Sequence, residues 1–306
     1  MLVNTKSMLK KAQREGYAVG AFNTSNLEFT KAIIRAAEEL KSPVIIQTST
    51  SAINYAGINE IQSIVSSVAK KAKIPVALHL DHGPDLFWAK KCLSNGYTSV
   101  MIDASSLSFK ENVSVTKKVV ASAKKFGASV EAELGALQGI EDEVNVSSSN
   151  AFLTDPLDAK KFVELTGCDS LAVAIGTSHG PYKFKDKSNL DFSRLRAIRD
   201  LVKVPLVLHG ASSIPAKVVS KTQKFGGKLK NAHGVSDSDL RKAVKLGVCK
   251  VNIDSDLRLV FNASLREFLS LNPGVYDPRT ILSFTNDAIY EFVKQKIRVL
   301  GSVNKA

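Results

Sequence analysis

Cysteine is scarce in this 306-residue chain: Cys92, Cys168 and Cys249 stand far apart, and no C-x-x-C pair occurs. A disulfide framework and a thiolate zinc site are therefore not signalled, and the three read as reduced packing residues. Long apolar runs are missing too. SLAVAIG and PLVLHG fall far short of the ~20 residues a spanning helix needs, no signal-peptide pattern opens the chain, and a soluble, cytoplasmic protein without membrane contact is expected. No G-x-G-x-x-G follows the first apolar run, which argues against a dinucleotide fold. Basic residues outnumber acidic ones, 42 to 29, for a formal charge of +13. That excess draws anions, but the lysines are spread over helix-like segments with no aromatic-interleaved basic motif, so no nucleic-acid partner is expected.

What is present is a rhythm. Eight short runs, YAVGAFN (17–23), PVIIQTS (43–49), PVALHLD (75–81), TSVMIDA (98–104), SVEAELG (129–135), SLAVAIG (170–176), PLVLHGA (205–211) and KVNIDSD (250–256), each lead through a polar or Gly-containing corner to a helix-like stretch. In NLEFTKAIIRAAEELK, Phe29, Ile33, Ala36 and Ala37 share one face. Uninterrupted apolar strands imply burial on both faces, and eight βα units predict a closed (β/α)8 barrel, with an open doubly wound sheet as the alternative. The barrel is expected over about residues 1–257 and closing helices over 258–306, as one domain. Two segments break the rhythm: 135–156, long and polar as active-site lids are, and the basic, Gly-rich GGKLKNAHGVS (226–236).

In a barrel all C-terminal strand ends meet at one mouth. Here they carry Asn23, Ser49, Asp81 with His82, Asp103, Glu133, GTSHG (176–180), HGAS (209–212) and Asn252 with Asp254 and Ser255. Of five histidines, His82, His179 and His209 stand at or just past three different strand ends. Any one of them reads equally well as a satisfied polar residue; three at equivalent places point to a catalytic zinc site, with Asp103 and Glu133 as a second ion position or outer support. His79 differs from His82 in parity and reads as structural. Asp81 is either a carboxylate beside the metal, suited to proton transfer, or a helix cap, although Asp85 is better placed to cap. The small residues of GTSHG and HGAS, with Lys183 and the GGKLK loop, suit a phosphate.

HLDHG (79–83), DAS (103–105), EAELG (131–135) with GIED (139–142), GTSHG, LVLHGAS (206–212) and KVNIDSDLR (250–258) together resemble the metal-dependent, class II fructose-bisphosphate aldolases, nearly end to end from FNTSNLE to LGSVNKA. The resemblance implies reversible cleavage of fructose 1,6-bisphosphate to dihydroxyacetone phosphate and glyceraldehyde 3-phosphate, with self-association as a dimer or tetramer. It implies zinc on His82, His179 and His209, with Asp103 and Glu133 as alternative metal positions, and allows a second divalent ion and a monovalent cation, Na+ or K+. Asp81 would handle the C4 hydroxyl proton and Glu141 the C3 proton. Gly180, Gly210, Ala211, Ser212, Asn252, Ile253, Asp254 and Ser255 would bind dihydroxyacetone phosphate, Ser49 the other triose, and Arg279 a neighbouring subunit's substrate, while Asn23 and Lys183 are further substrate-binding candidates at the mouth. Class I aldolases use a Schiff-base lysine, and no strand interior or immediate end carries one here, Lys250 opening its strand. The sequence departs from the family at Ser255, where Thr is commoner, at DASSLSF, which lacks a His and a Pro, and at Ala136, where Arg is frequent. A tagatose-bisphosphate aldolase is the nearest alternative, less like the GGKLKNAHGVS loop and NIDSDLR. From another class, the charge admits a nucleic-acid or adhesion role on a barrel scaffold.

Overall fold

The structure, a computed structural model, describes residues 2–135, 138–141, 144–146, 152–179, 190–229 and 234–306, with 138–141, 144–146 and 179 given by their backbone. Strands β1 (Val19–Asn23), β2 (Val44–Thr48), β3 (Val76–Gly83), β4 (Ser99–Ile102), β5 (Ser129–Leu134), β8 (Ser170–Val173), β10 (Leu206–Leu208) and β11 (Val248–Ile253) pair in parallel into a closed barrel. These are the eight apolar runs of the sequence, and the order β1-β11-β10-β8-β5-β4-β3-β2 excludes an open sheet. A separate small sheet joins the hairpin β6 (Gln138–Glu141) and β7 (Val144–Val146) to β9 (Ser178–His179). Part of the polar 135–156 segment thus has strand structure of its own, which no apolar alternation announced.

Around the barrel run α2 (Leu27–Glu39), α3 (Thr50–Ala56), α4 (Ile58–Lys71), α5 (Leu86–Ser94), α6 (Phe109–Lys124), α7 (Pro156–Thr166), α8 (Phe192–Leu201), α9 (Ala216–Lys224), α10 (Asp237–Lys245), α11 (Ser255–Leu271) and α12 (Pro278–Leu300). Except for α4, α9 and α11, they start at a residue whose side chain caps the first turn. Asp85 accepts from the Trp88 amide at 2.8 Å, leaving Asp81 free of that task, and Ser108 with Glu111 forms a reciprocal capping box. Phe29, Ile33, Ala36 and Ala37 of α2 are all buried, as their spacing predicts. The closing helices begin at Ser255 rather than 258, and α12 packs along α2 and α11. A further helix, α1 (Thr5–Glu15), precedes β1, and its first residue, Thr5, bonds Ser99 and Ser129 at the start of β4 and β5. No described helix is long and apolar enough to cross a membrane.

Cys92, Cys168 and Cys249 are free and buried, as their spacing predicts. Burial pushes their thiols up to about 12, about 12 and about 11, respectively. An unfolded chain ionises these groups near 9, so above that pH it binds fewer protons than the folded chain, and stability is lost as pH rises toward 11–12. The loss should reach about 1.4 kcal/mol per thiol per pH unit. Thermal unfolding followed from pH 8 upward should show a falling midpoint whose slope flattens when all three cysteines are replaced by Ala; equal slopes would contradict it.

Candidate active site

Asp81 and His82 are neighbours, and neighbours in a regular strand face opposite ways. Here the ladder slips. Leu80 is in register with Val100 but Gly83 with Ile102, so β3 holds one residue more than β4 over this stretch. His82 takes up the excess with φ 45°, a left-handed conformation uncommon outside glycine. Gly83 lets the bulge close: a Cβ there would lie 2.5 Å from the Met101 carbonyl oxygen and 2.7 Å from Leu80. Both Asp81 and His82 thereby line the barrel mouth, beside Asn23, Gly210, Ala211, Ser212, Asn252 and Asp254.

Asp81 is held by three side-chain amides, Asn23 Nδ2 at 2.9 Å, Gln47 Nε2 at 3.2 Å and Asn252 Nδ2 at 2.9 Å. His82 Nδ1 lies 2.7 Å from Asp103 and 3.9 Å from Glu133, and its ring stands 4.6 Å from that of His209. His209 meets Glu133 through Nδ1 at 3.0 Å and Glu131 through Nε2 at 2.8 Å. His82, Glu133 and His209 thus each present a donor atom within 4.8 Å of the others, an arrangement that fits a cation. Burial works against charge on His82, but Asp81 and then Asp103 outweigh it and hold the imidazole well above its ordinary range. The same contest, won by Glu133 and then Glu131, raises His209. Asp103 responds in the opposite sense: burial would raise it, yet the His82 hydrogen bond and charge keep it well below the usual carboxylate range.

The third histidine sits on β9, where its backbone is in register with Gly139 of β6. Gly210, at φ 58°, approaches β9 so closely that a Cβ would lie 2.7 Å from the Ser178 carbonyl oxygen. The backbones of His179 and of the His209 corner are therefore neighbours. The side chains of His179 and Glu141, and all of Gly180 and Lys183, lie outside the described residues.

Chains with related sequences decide the family. The sequence model described as Fructose-bisphosphate aldolase class-II matches residues 3–305. The chain belongs to that family. It is 49% identical over 306 residues to the fructose-bisphosphate aldolase of Thermus caldophilus, covering all of both chains. It is 46% identical over 308 residues to that of Giardia intestinalis, covering all of this chain and 94% of the other. Among solved structures, the YdjI aldolase of Escherichia coli K12 superposes with a TM-score of 0.83 at 34% identity and full coverage of both chains.

Class II aldolases are metal-dependent lyases, and in this one the corner after β10 is clamped from behind. Buried Asp256 accepts the Ser213 and Ile214 amides at 2.8 and 2.6 Å, and Lys296 of α12 donates to Ser213 at 2.5 Å and Asp237 at 2.7 Å. Ile214 is held at φ 47°, a strained position for a branched residue that this clamp supports. Ser49, just past β2, caps α3, and Ser255 and buried Ile253 flank Asp254, whose carboxylate pairs with Arg258 at 2.6 Å. Arg279 stays apart. It lies in the first turn of α12, its side chain 89% exposed, near α2, and bonds Asp277.

Three inward residues escape a reading of strand ends: Gln47, Glu131 and Lys250. Each lies two residues before a mouth residue, Ser49, Glu133 or Asn252, and so faces the same way. A polar residue inside an apolar strand at even spacing from its end was the available signal. Lys250 corrects an expectation, since β11 begins at Val248 and the lysine lies inside the strand, fully buried. Its Nζ is bonded to Glu131 at 2.8 Å, not displayed at the mouth.

Gly83→Ala should force β3 from β4 and turn His82, costing about 1–3 kcal/mol of stability by overpacking. Denaturant unfolding and divalent-cation titration together test this; a variant as stable as the parent with the same cation affinity would show that the close approach is dispensable.

Proposed function

We propose that the chain reversibly cleaves fructose 1,6-bisphosphate to dihydroxyacetone phosphate and glyceraldehyde 3-phosphate, with zinc held by His82, His209 and His179. The observation that carries this reading is the convergence of two imidazoles, Glu133 and Asp81 at one barrel mouth in a class II aldolase chain. Imidazole nitrogens with a nearby carboxylate form a donor set suited to zinc. Asp103 and Glu133 then serve as outer support or as a second ion position.

When bound, the cation supplies Lewis-acid stabilisation of charge developing on the ketone oxygen. Asp81, fixed by Asn23, Gln47 and Asn252, takes the C4 hydroxyl proton. The C3–C4 electrons pass toward the ketone as the aldehyde forms at C4, and Glu141, carried on β6, returns a proton to C3. The amides of Gly210, Ala211, Ser212 and Asn252 to Ser255 receive the phosphate of the dihydroxyacetone half, Gly180 and Lys183 adding to it, while Ser49 faces the other triose. Asn252 Oδ1 and Gln47 Oε1 are buried without a hydrogen-bond partner among the described residues, and a polyhydroxy substrate has donors to offer them. Arg279 reaches the mouth only if it is another subunit's mouth.

Triose release from fructose 1,6-bisphosphate should vanish on dialysis against EDTA and return with zinc, and borohydride should trap no adduct with dihydroxyacetone phosphate. Chelator-resistant turnover, or a trapped adduct on a lysine, would refute the metal mechanism. A higher kcat/KM for tagatose 1,6-bisphosphate would reassign the substrate.

A further inference from the structure

One charged group in the barrel has no part in this chemistry. Lys250 is 0% exposed, and its ammonium donates to both Glu131 oxygens, at 2.9 and 2.8 Å, and to His79 Nε2 at 3.4 Å. Because an ammonium can only donate, His79 Nε2 accepts, and the ring hydrogen belongs on Nδ1, facing Ser99 Oγ at 2.8 Å. Ser99 in turn meets Thr5 at the start of α1 at 3.1 Å. At its upper end the run reaches His209, whose Nε2 lies 2.8 Å from Glu131 Oε1. His79, Glu131 and Lys250 each stand two residues before Asp81, Glu133 and Asn252, so they form the layer directly beneath the mouth.

A buried ion pair is weak evidence of stabilisation, since apolar residues of similar volume often serve the fold as well. Here the pair has an orientation to enforce. A carboxylate bonded to an ammonium through both oxygens is an acceptor, so the His209 nitrogen facing it must carry a hydrogen. We propose that Glu131, locked by Lys250, is a positioning residue that fixes the ring and tautomer of His209, so that Nδ1, the nitrogen beside Glu133, is the one offered to the cation. Lys250 also cancels the Glu131 charge, which keeps that carboxylate beneath the site rather than in it. The proposal rests on the metal reading above.

Glu131→Gln keeps the volume but reverses the bonding. Its carbonyl oxygen turns to Lys250, its NH2 faces His209 Nε2, and the His209 hydrogen moves to Nδ1. Zinc affinity, measured by chelator competition, should fall about 10–100-fold, with a changed visible spectrum in the cobalt(II) protein. Affinity within about twofold of the parent would overturn the proposal. The parent protein, labelled with 15N-histidine and loaded with zinc, gives a second readout that needs no variant: His209 should show a protonated Nε2 and a coordinated Nδ1. A protonated Nδ1 on His209 would also overturn it. A parent that binds no zinc would instead refute the metal reading itself.

Discussion

A carboxylate taken out of water costs several kcal/mol unless something nearby answers its charge. Four that surround the candidate cation site, Asp81, Asp103, Glu131 and Glu133, are each met by named partners: three amides, the His82 imidazole, the Lys250 ammonium together with His209, and the other nitrogen of the same His209 ring. The answering groups are themselves buried, save His82 at 10% side-chain exposure, so each one's position is dictated by the next. That chain of obligations runs from Thr5 beneath the barrel to the mouth, and it fixes side-chain directions that apolar packing would leave free.

The second constraint is geometric. In the proposed reaction the proton carrier Asp81 and the cation ligand His82 work on one substrate, yet they are adjacent in sequence and a regular strand would part them. The extra residue in β3 resolves this by placing His82 in a left-handed conformation, which only a glycine at position 83 leaves room for. Strain of this kind costs about 1–3 kcal/mol and persists where the surroundings enforce it. Here the enforcers are the Asp103 hydrogen bond and the pairing of Gly83 with Ile102.

The barrel was legible because eight apolar strands and their helices repeat a period the physics of a closed parallel sheet demands. The candidate site was legible as a set of strand-end residues, and HLDHG, EAELG and HGAS do meet. Other features were hidden for reasons that can be named. The bulge depends on a backbone dihedral that alternation does not encode, so His82 and Asp81 could be placed at the mouth only by supposing that the strand ended. The hairpin of β6 and β7 lies in a polar segment without apolar periodicity. Lys250 escaped because its strand starts two residues earlier, at Val248, so a lysine taken as the strand's opening residue lies inside it. Charge inside a strand looks like an error until its partner, 119 residues away in Glu131, is brought beside it.

The division of labour within HLDHG is open to one direct measurement. A crystal grown with zinc and recorded on both sides of the zinc absorption edge should give an anomalous peak about 2.0–2.1 Å from nitrogen atoms of His82 and His209, with Asp81 outside bonding distance. A peak bonded to Asp81, or one that leaves either His82 or His209 unligated, would contradict the assignment of these neighbouring residues to proton transfer and cation binding.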